Sequence, residues 1–517
     1  MRTRGQAGCA PDFFTKRRKA ASMKEISFDN NWLSRSNISM LTDFYELTMA
    51  NGYLERGLAE REVVFDMFFR TIPEDGGYAI MAGVEQMVDY LSALSFSKED
   101  IEYLRDLNVF GEKFLDYLAN FHFSCDVWAI AEGMPIFPGE PIVKVKGPIM
   151  QAQMIETMLL VTVNHQSLIA TKSARIVRAA QGRPIMEFGA RRAQGYDASV
   201  LGARAAYIGG VAGTSCTIAS RQFGVQPMGT MAHSWVQAFP SEYEAFKAYA
   251  ESYPDNCQLL VDTYSTLQSG VPNAIRVALD VLAPMGKRLQ AIRIDSGDLT
   301  YLAQESRKML DAAGLTDCKI TVSNSMDEYL IKELLRQGAP VDSFGVGERL
   351  ITSKQEPVFS GVYKLAAVEE NGQLVPRMKF SDNPEKITNP GNKEVWRFYD
   401  LDNGHAIADL ITLEHEKIDA DKPITIFHPL HTWKQKTITN FRVERLLQPI
   451  FVRGELVAEM PSLEAIRSRC DLELETLWDS IKRFDNPQSY YVDLSQELWD
   501  LKHTLLTEQR PVKPTHA

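Results

Sequence analysis

Short apolar runs recur between about residues 183 and 350, and five of the six are followed by a stretch compatible with a helix. Alternating strand-like and helix-like segments predict βαβ units whose strands form a parallel sheet. This region therefore predicts a parallel α/β barrel, in which the carboxyl ends of the strands open on one face. The six runs are PIMEF, VQPMGTM, QLLVD, LQAIRID, KITVS and DSFGVG.

Each run ends in residues suited to binding or chemistry, and a barrel would bring these ends together at one mouth. Taken singly, the Asp, Ser and Asn residues are better explained as helix caps. Taken together, they predict a single site assembled from six loops. The groups at the run ends are Arg191 with Arg192, His233 with Ser234, Asp262, Asp295 to Asp298, Ser323 with Asn324, and Gly345 with Gly347.

The pattern differs on both sides of this region. Before residue 147, alternating stretches mix with amphipathic helices such as 84–94, which is typical of an α+β domain. Residues 149–181 predict one long helix, with a break expected near Asn164 and His165. We predict a disordered basic arm or misassigned start at 1–22, an N-terminal α+β domain at 23–148, a barrel catalytic domain at 149–365, and a C-terminal region at 366–517 that packs on the N-terminal domain.

The C-terminal region is rich in turn signals such as Asn389-Pro390-Gly391. Its alternation predicts β-hairpins over 366–455. Helical spacing of apolar residues then predicts helices over 463–469, 472–484 and 494–506.

Composition and charge narrow the function classes. With 45% hydrophobic and 24% charged residues among 517, the chain has the composition of a globular protein. The 56 Lys and Arg against 67 Asp and Glu give a net charge of −11, so we expect neither nucleic acid nor a membrane as partner. No apolar window is long enough for a spanning helix. The six cysteines lack C-x-x-C spacing, which argues against a zinc site and favours a reducing cytoplasm.

Three of the strand ends suggest specific chemistry. Gly345 and Gly347 would let backbone N–H groups approach a phosphate, although a tight turn also explains them. Asp295 and Asp298 flank Ser-Gly and could hold ribose hydroxyls or a hydrated magnesium ion; the alternative is a helix N-terminus with Asp298 in its first turn. A lone His233 is more often structural, but beside two phosphate-binding candidates a nucleophilic or acid–base role is favoured.

Five motifs stand in order along the chain: LTDFY at 41–45, EFGARRAQG at 187–195, GTMAHS at 229–234, RIDSGDL at 293–299 and GVYKL at 361–365. Together they resemble the nicotinate phosphoribosyltransferase family, over about residues 38 to 510. The resemblance implies a type II phosphoribosyltransferase-like incomplete parallel α/β barrel with an N-terminal α+β domain and a C-terminal β/helical region. It further implies a cytoplasmic homodimer with shared active sites.

The resemblance also implies an activity. Members of the family condense nicotinate with phosphoribosyl pyrophosphate to nicotinate mononucleotide and pyrophosphate, in the Preiss-Handler salvage route to NAD. The reaction is coupled to ATP hydrolysis, so the expected class is an ATP-coupled ligase that uses Mg²⁺ and carries a phosphohistidine. The sequence itself assigns no metal ligands.

Residue roles follow from the resemblance, position by position. His233 corresponds to the histidine that ATP phosphorylates, and Asp295 joins it as a catalytic group. Tyr45 resembles a ring that stacks on nicotinate from the partner subunit, while Thr230 and Arg293 match residues that contact nicotinate. The remaining matches to the ribose and phosphate pocket are Arg191, Ser296, Gly297, Asp298, Ser323, Asn324, Gly345 and Gly347, with Arg70 and Lys364 expected to reach phosphates across the dimer interface.

Glu348 departs from the family pattern, because some relatives have Thr after the second glycine of the 345–347 segment. A carboxylate there would repel phosphate, so we expect it to point outward. It is therefore not among the predicted site residues.

Three alternatives stay open. Nicotinamide phosphoribosyltransferases share the barrel and the histidine but read the amide with an Asp after a Gly-Thr pair, whereas Ser215 follows Gly213-Thr214 here. Quinolinate phosphoribosyltransferases need extra basic groups and have no ATP-dependent histidine. A catalytically silent regulatory homologue would be expected to lack His233 or Asp295, and both are present.

Overall fold

A computed structural model describes residues 38–381 and 386–508. The predicted basic arm at 1–22 lies outside the described residues. The N-terminal region mixes helices and strands, and the amphipathic helix expected at 84–94 is confirmed. Its elements are α1 (Phe44–Glu55), β1 (Glu62–Phe69), β2 (Ala79–Ile80), α2 (Val84–Ala93), α3 (Lys98–Asp106), α4 (Glu112–Ala119), β3 (Asp126–Ile130), β4 (Pro135–Ile136), β5 (Val143–Pro148), α5 (Ile149–Met154) and α6 (Glu156–Ala179).

Helix α6 lies between two hydrophobic cores and contributes residues to both. Leu159 packs in the core of the N-terminal region, whereas Ile169 packs in the core of the barrel. The expected break near Asn164 is wrong: the break falls at Ile155, where a ψ of 0° turns the chain between α5 and α6. A helix that packs against two cores can hold polar residues such as Asn164 and His165 in its interior. Polar residues alone therefore do not indicate where such a helix ends. In the described ranges no helix is long and apolar enough to cross a membrane.

Six parallel strands form the barrel sheet in the order β7-β6-β11-β10-β9-β8. Among the described residues β8 does not pair back with β7, so the ring of strands stays open, as expected for an incomplete barrel. The elements are β6 (Ile185–Glu187), α7 (Tyr196–Ile208), β7 (Gly213–Thr214), α8 (Thr217–Phe223), α9 (His233–Gln237), α10 (Glu242–Ser252), β8 (Gln258–Leu260), α11 (Val271–Val277), β9 (Ala291–Ile294), α12 (Leu299–Ala312), β10 (Lys319–Asn324), α13 (Glu328–Arg336), β11 (Ser343–Val346) and α14 (Glu348–Ile351).

One of the six predicted strands is wrong. Residues 225–231 contribute only an isolated bridge from Pro227 to Thr214, and the strand in this place is the two-residue β7. Pro227 has no N–H with which to extend a ladder, so the apolar run cannot continue as a regular strand. The run instead leads to His233 as an extended loop.

The last third of the chain returns to the N-terminal sheet. Strand β12 pairs antiparallel with β1 and crosses position 365–366, where the sequence places a boundary; the predicted division into domains stays a prediction. β19 pairs with β3, so the sheet β13-β12-β1-β5-β3-β19-β20 combines strands from both ends of the chain. The strands are β12 (Gly361–Glu370), β13 (Gln373–Pro376), β14 (Lys393–Asp400), β15 (Ala406–Leu413), β16 (Ile424–Phe427), β17 (Gln435–Ile438), β18 (Phe441–Arg445), β19 (Leu447–Val452), β20 (Glu455–Leu456) and β21 (Val492–Leu494).

The C-terminal helices differ from the predicted ones. A single helix, α15 (Leu463–Thr476), replaces the expected helices at 463–469 and 472–484. It ends at Leu477, which is extended, and the side chains of Leu477 and Ile481 are buried in the barrel core. Their helical spacing therefore reflects burial in an irregular segment. The last helix, α16 (Gln496–Glu508), begins after β21 rather than at Leu494.

Candidate active site

The carboxyl ends of the barrel strands lie side by side. Ser323 pairs with Gly345, and Val346 pairs with Glu187, so the ends of β10, β11 and β6 are level. Ile294 pairs with Val322, which places the residues after β9 next to them. The topology thus brings the predicted strand-end residues to one mouth.

His233 begins α9 at this mouth and is held at one ring nitrogen. Its Nδ1 lies 3.1 Å from the Thr263 Oγ1. Its Nε2 lies 4.0 Å from the Asp295 Oδ2, and the two side chains are 41% and 39% exposed. An imidazole fixed on one side and accessible on the other, next to a carboxylate, can accept a proton or a phosphoryl group.

Two carboxylates organise the loop after β9. The Ser323 hydroxyl donates to the Asp295 Oδ1 at 2.5 Å. The Asp295 N–H and the Ser296 hydroxyl both donate to the Asp262 Oδ2, at 2.9 and 2.6 Å. Asp262 follows β8. The sequence analysis assigned it no role, although its position at the end of the run QLLVD indicated that it would lie at the barrel mouth.

The same two carboxylates are the residues here that fit a magnesium ion. Carboxylate oxygens are ligands that Mg²⁺ prefers. The Asp262 Oδ1 is buried without a hydrogen-bond partner, which leaves a lone pair for a cation or its water. Among residues 38–381 and 386–508 no cluster of three or more His, Cys, Asp or Glu could hold a metal. A Mg²⁺ ion at this place therefore needs further oxygen ligands from substrate and water.

Arg293 supplies the positive side of the mouth. One Nη donates to the Thr230 Oγ1 at 2.6 Å and the other to the Met231 carbonyl at 2.9 Å, while the Nε is buried without a partner. Burial lowers the pKa of Arg293; the carboxylate of Asp295 opposes this shift, and the neighbouring Arg191 adds to it. Arg191 and Arg293 thus both add positive charge to this side of the mouth.

Two of the site loops need unusual backbone conformations. Gly297 has a φ of 82° and Asn324 a φ of 126°, both in the region that disfavours side chains. The Asn324 Oδ1 accepts from the Ser325 N–H at 2.7 Å, which supports the turn. Asp298 is the N-cap of α12 and accepts from the Tyr301 N–H at 3.1 Å. The helix N-terminus left open by the sequence is therefore present, but Asp298 lies just before its first turn rather than in it.

Packing against Phe188 explains why glycines stand at positions 345 and 347. A Cβ at Gly345 would lie 2.6 Å from the Phe188 ring, and a Cβ at Gly347 would lie 3.1 Å from the Phe188 carbonyl. Packing against Phe188 thus requires glycine at position 345 and leaves little space for a side chain at position 347, whether or not a phosphate binds above them. Glu348 pairs with Lys354 at 2.5 Å.

Tyr45, Arg70 and Lys364 form a second group on the N-terminal region. The Tyr45 hydroxyl lies near Glu156, and burial together with this carboxylate raises its pKa. The Lys364 Nζ lies 3.7 Å from the Glu156 Oε1. Arg70 follows β1, and its N–H donates to the Ser360 Oγ at 3.1 Å. The predicted site residues therefore occur in two groups, one at the barrel mouth and one on α1 and the sheet that contains β1 and β12.

An incomplete parallel α/β barrel with carboxylates, guanidinium groups and one histidine at its strand ends defines a type II phosphoribosyltransferase fold. Three family models cover the chain: the nicotinate phosphoribosyltransferase N-terminal domain over residues 40–164, the nicotinate phosphoribosyltransferase family over 184–400, and its C-terminal domain over 392–502. The chain belongs to the nicotinate phosphoribosyltransferase family.

Relatives are similar over nearly their whole length. Nicotinate phosphoribosyltransferase of Bacillus subtilis is 44% identical over 468 residues, which is 90% of this chain and 94% of that protein. The human enzyme of the same name is 34% identical over 530 residues, 91% of this chain and 97% of that protein. The crystal structure of human nicotinic acid phosphoribosyltransferase superposes with a TM-score of 0.80 at 32% identity, over 90% of this chain and all of that one.

Proposed function

We propose that the protein condenses nicotinate with phosphoribosyl pyrophosphate to nicotinate mononucleotide and pyrophosphate, in NAD salvage. The observation that carries this proposal is the juxtaposition of His233, 4.0 Å from Asp295, with the strand-end loops of one barrel mouth. The Bacillus subtilis and human relatives carry the name of this activity. A nicotinamide enzyme is not favoured, since Ser215 stands where those enzymes have Asp.

The mouth carries both charges that the reaction needs. Breaking the bond between ribose C1 and pyrophosphate develops positive charge on the sugar and negative charge on the leaving group. Asp295, fixed by Ser323 at 2.5 Å, would stabilise the sugar. Arg191 and the backbone N–H groups of the loops at Ser323-Asn324 and Gly345–Gly347 would bind the phosphates. A bound Mg²⁺, held by Asp262, Asp295 and substrate oxygens, would neutralise charge on the leaving group.

Arg293 is the proposed reader of the nicotinate carboxylate. Its two Nη groups are fixed by Thr230 and Met231, so the guanidinium is pre-organised before the ligand arrives. Its buried Nε lacks a partner and can donate to a carboxylate. A charge-assisted hydrogen bond is worth about 1.5–3 kcal/mol, which favours the acid over its amide.

ATP coupling would proceed through His233. If Nδ1–H donates to Thr263, 3.1 Å away, the lone pair of Nε2 faces the pocket. Nε2 then attacks the γ-phosphorus of ATP, a bond forms between nitrogen and phosphorus, and the bond to the ADP oxygen breaks. The phosphorylated ring adds nearly two negative charges at the mouth and shifts the loop conformations by its differential interactions with them.

The second group of residues supports a homodimer with shared sites. Tyr45 and Lys364 both lie beside Glu156, at the start of α6. Leu41, Phe44 and Tyr45 are exposed apolar side chains at the start of α1. Apolar side chains grouped on a surface mark interaction sites. We therefore assign Tyr45, Arg70 and Lys364 to the mouth of the partner subunit.

We further propose a reducing cytoplasmic location. Cys125, Cys257, Cys318 and Cys470 are buried free thiols, and burial raises the pKa of the Cys257 thiol to about 12. Thiols of this kind are typical of proteins in reducing compartments, where disulfides are rare.

A direct assay tests the proposed function. Purified protein is incubated with phosphoribosyl pyrophosphate, Mg²⁺ and nicotinate, nicotinamide or quinolinate, each with and without ATP, and the mononucleotide is measured by chromatography. We expect product from nicotinate and stimulation by ATP. Preference for nicotinamide would instead support the alternative enzyme, and no product from any base would support the silent homologue.

A further inference from the structure

Glu187, at the end of β6, is a fully buried carboxylate that the proposed chemistry does not use. One of its oxygens accepts from the Gly189 N–H. The other accepts from the Thr214 hydroxyl at 2.6 Å. Burial raises the pKa of Glu187, and these two hydrogen bonds oppose the shift. Its partners are thus a backbone amide and a hydroxyl, and the folded protein retains a carboxylate that would be costly to bury without them.

The two hydrogen bonds tie together two site loops. The Gly189 carbonyl accepts from the Arg192 N–H at 2.7 Å, which closes the turn that carries Arg191. On the other side, the Thr214 Oγ1 accepts from the Cys216 N–H at 2.9 Å. One side chain therefore connects the β6 loop with the β7 loop.

The surrounding packing leaves this arrangement little freedom. A Cβ at Gly189 would lie 2.7 Å from the Glu187 Oε1 and 2.5 Å from the Ile351 Cβ. The Glu187 carbonyl also accepts from the Ser215 N–H at 2.9 Å. Both the side chain and the backbone of Glu187 thus hold the two loops.

We propose that Glu187 is a positioning residue, whose buried carboxylate holds the Arg191 turn and the Ser215 loop at the spacing that the sugar phosphate and the pyridine ring require. The inference rests on the proposed function. An ionised carboxylate accepts hydrogen bonds at both oxygens, whereas an amide of the same shape presents donors on one side. Gln at this position would place its NH₂ group either against the Gly189 N–H, which can only donate, or against the Thr214 hydroxyl, which would have to rotate to accept; one of the two present hydrogen bonds is therefore lost or reversed.

Steady-state kinetics of matched variants test the role. We expect Glu187→Gln and Thr214→Val to raise the KM for phosphoribosyl pyrophosphate by about tenfold or more, with a change in kcat of less than about threefold. Thr214→Ser keeps the hydroxyl and should stay within about twofold of the wild type. Since both changes act on the hydrogen bond between Glu187 and Thr214, the double variant should cost less than the sum of the two single variants. Glu348→Gln, which neutralises a partly exposed carboxylate that pairs with Lys354, is the control and should leave the kinetics unchanged.

The outcomes separate the inference from the proposed function. If the wild type makes no nicotinate mononucleotide, the proposed function fails. If the wild type is active but Glu187→Gln and Thr214→Val lower the melting temperature with an unchanged KM, Glu187 is only structural and the inference is overturned. If Glu187→Gln does not fold, Thr214→Val against Thr214→Ser decides the same question.

Discussion

Arg293→Ala tests most sharply how the protein would choose an acid over an amide. In the wild type the guanidinium is fixed by Thr230 at 2.6 Å and by the Met231 carbonyl at 2.9 Å. Removing the side chain deletes the proposed partner of the nicotinate carboxylate and leaves the loop at Thr230 without two hydrogen bonds. The loop effect falls on every substrate, whereas the charge effect falls on nicotinate alone.

The two effects differ in size. A charge-assisted hydrogen bond contributes about 1.5–3 kcal/mol, so its loss should raise the KM for nicotinate roughly 10- to 150-fold. A hydrogen bond to the uncharged amide of nicotinamide contributes about 0.5–1.5 kcal/mol, so its loss should cost roughly 2- to 10-fold. The preference for nicotinate over nicotinamide should therefore fall by about tenfold.

The assay compares kcat/KM for nicotinate and nicotinamide in the wild type, Arg293→Ala and Thr230→Val. Thr230→Val removes one of the bonds that fix the guanidinium but keeps its charge, so it should lower both values together and preserve most of the preference. Equal losses for the two bases in Arg293→Ala would refute the assignment and would indicate that Arg293 binds phosphate instead.

Three further predictions concern other parts of the site. His233→Ala should abolish ATP consumption but leave slow synthesis without ATP, measured as ADP and mononucleotide in one reaction; full coupling in the variant would exclude His233 as the phosphorylated residue. If Tyr45 acts in the partner's site, mixing Tyr45→Ala with His233→Ala subunits should restore part of the coupled activity, and no recovery would contradict a shared site. Burial raises the pKa of Glu46 to about 7, although Thr157 donates two hydrogen bonds to it. Because the folded pKa lies above the unfolded one, stability from this group is present at low pH and is lost as pH rises from about 4.5 to 7. Glu46→Gln should flatten the fall in melting temperature over this range, and an unchanged slope would contradict it.

Much of the barrel was predictable, because its chemistry lies at the ends of apolar runs. Asp295, Ser323 and Gly345 lie at the carboxyl ends of strands whose patterns are clear, and parallel topology alone requires these ends to share one face. β7 was not predictable, since a two-residue strand has no periodicity to detect. Its misplacement at 225–231 arose from an apolar run in which Pro227 prevents regular pairing.

The roles of Asp262 and Glu187 could not be predicted from the sequence, for one physical reason. Asp262 and Glu187 act on neighbouring backbone amides and hydroxyls, and such contacts depend on the distance between loops that are far apart in sequence. The structure also shows that Asp298 caps α12. Sequence patterns indicate which residue types stand at strand ends, but the hydrogen bonds among them require coordinates.

The most direct measurement uses ATP labelled at the γ-phosphate. Wild-type protein is incubated with the label and Mg²⁺. One portion is digested under alkaline conditions that preserve phosphohistidine, and the labelled residue is mapped by mass spectrometry. A second, undigested portion is given nicotinate and phosphoribosyl pyrophosphate. We predict acid-labile phosphate on His233 that is released as nicotinate mononucleotide forms. Label on any other residue, or ATP-stimulated synthesis with no label on His233, would contradict the proposed role of the barrel mouth.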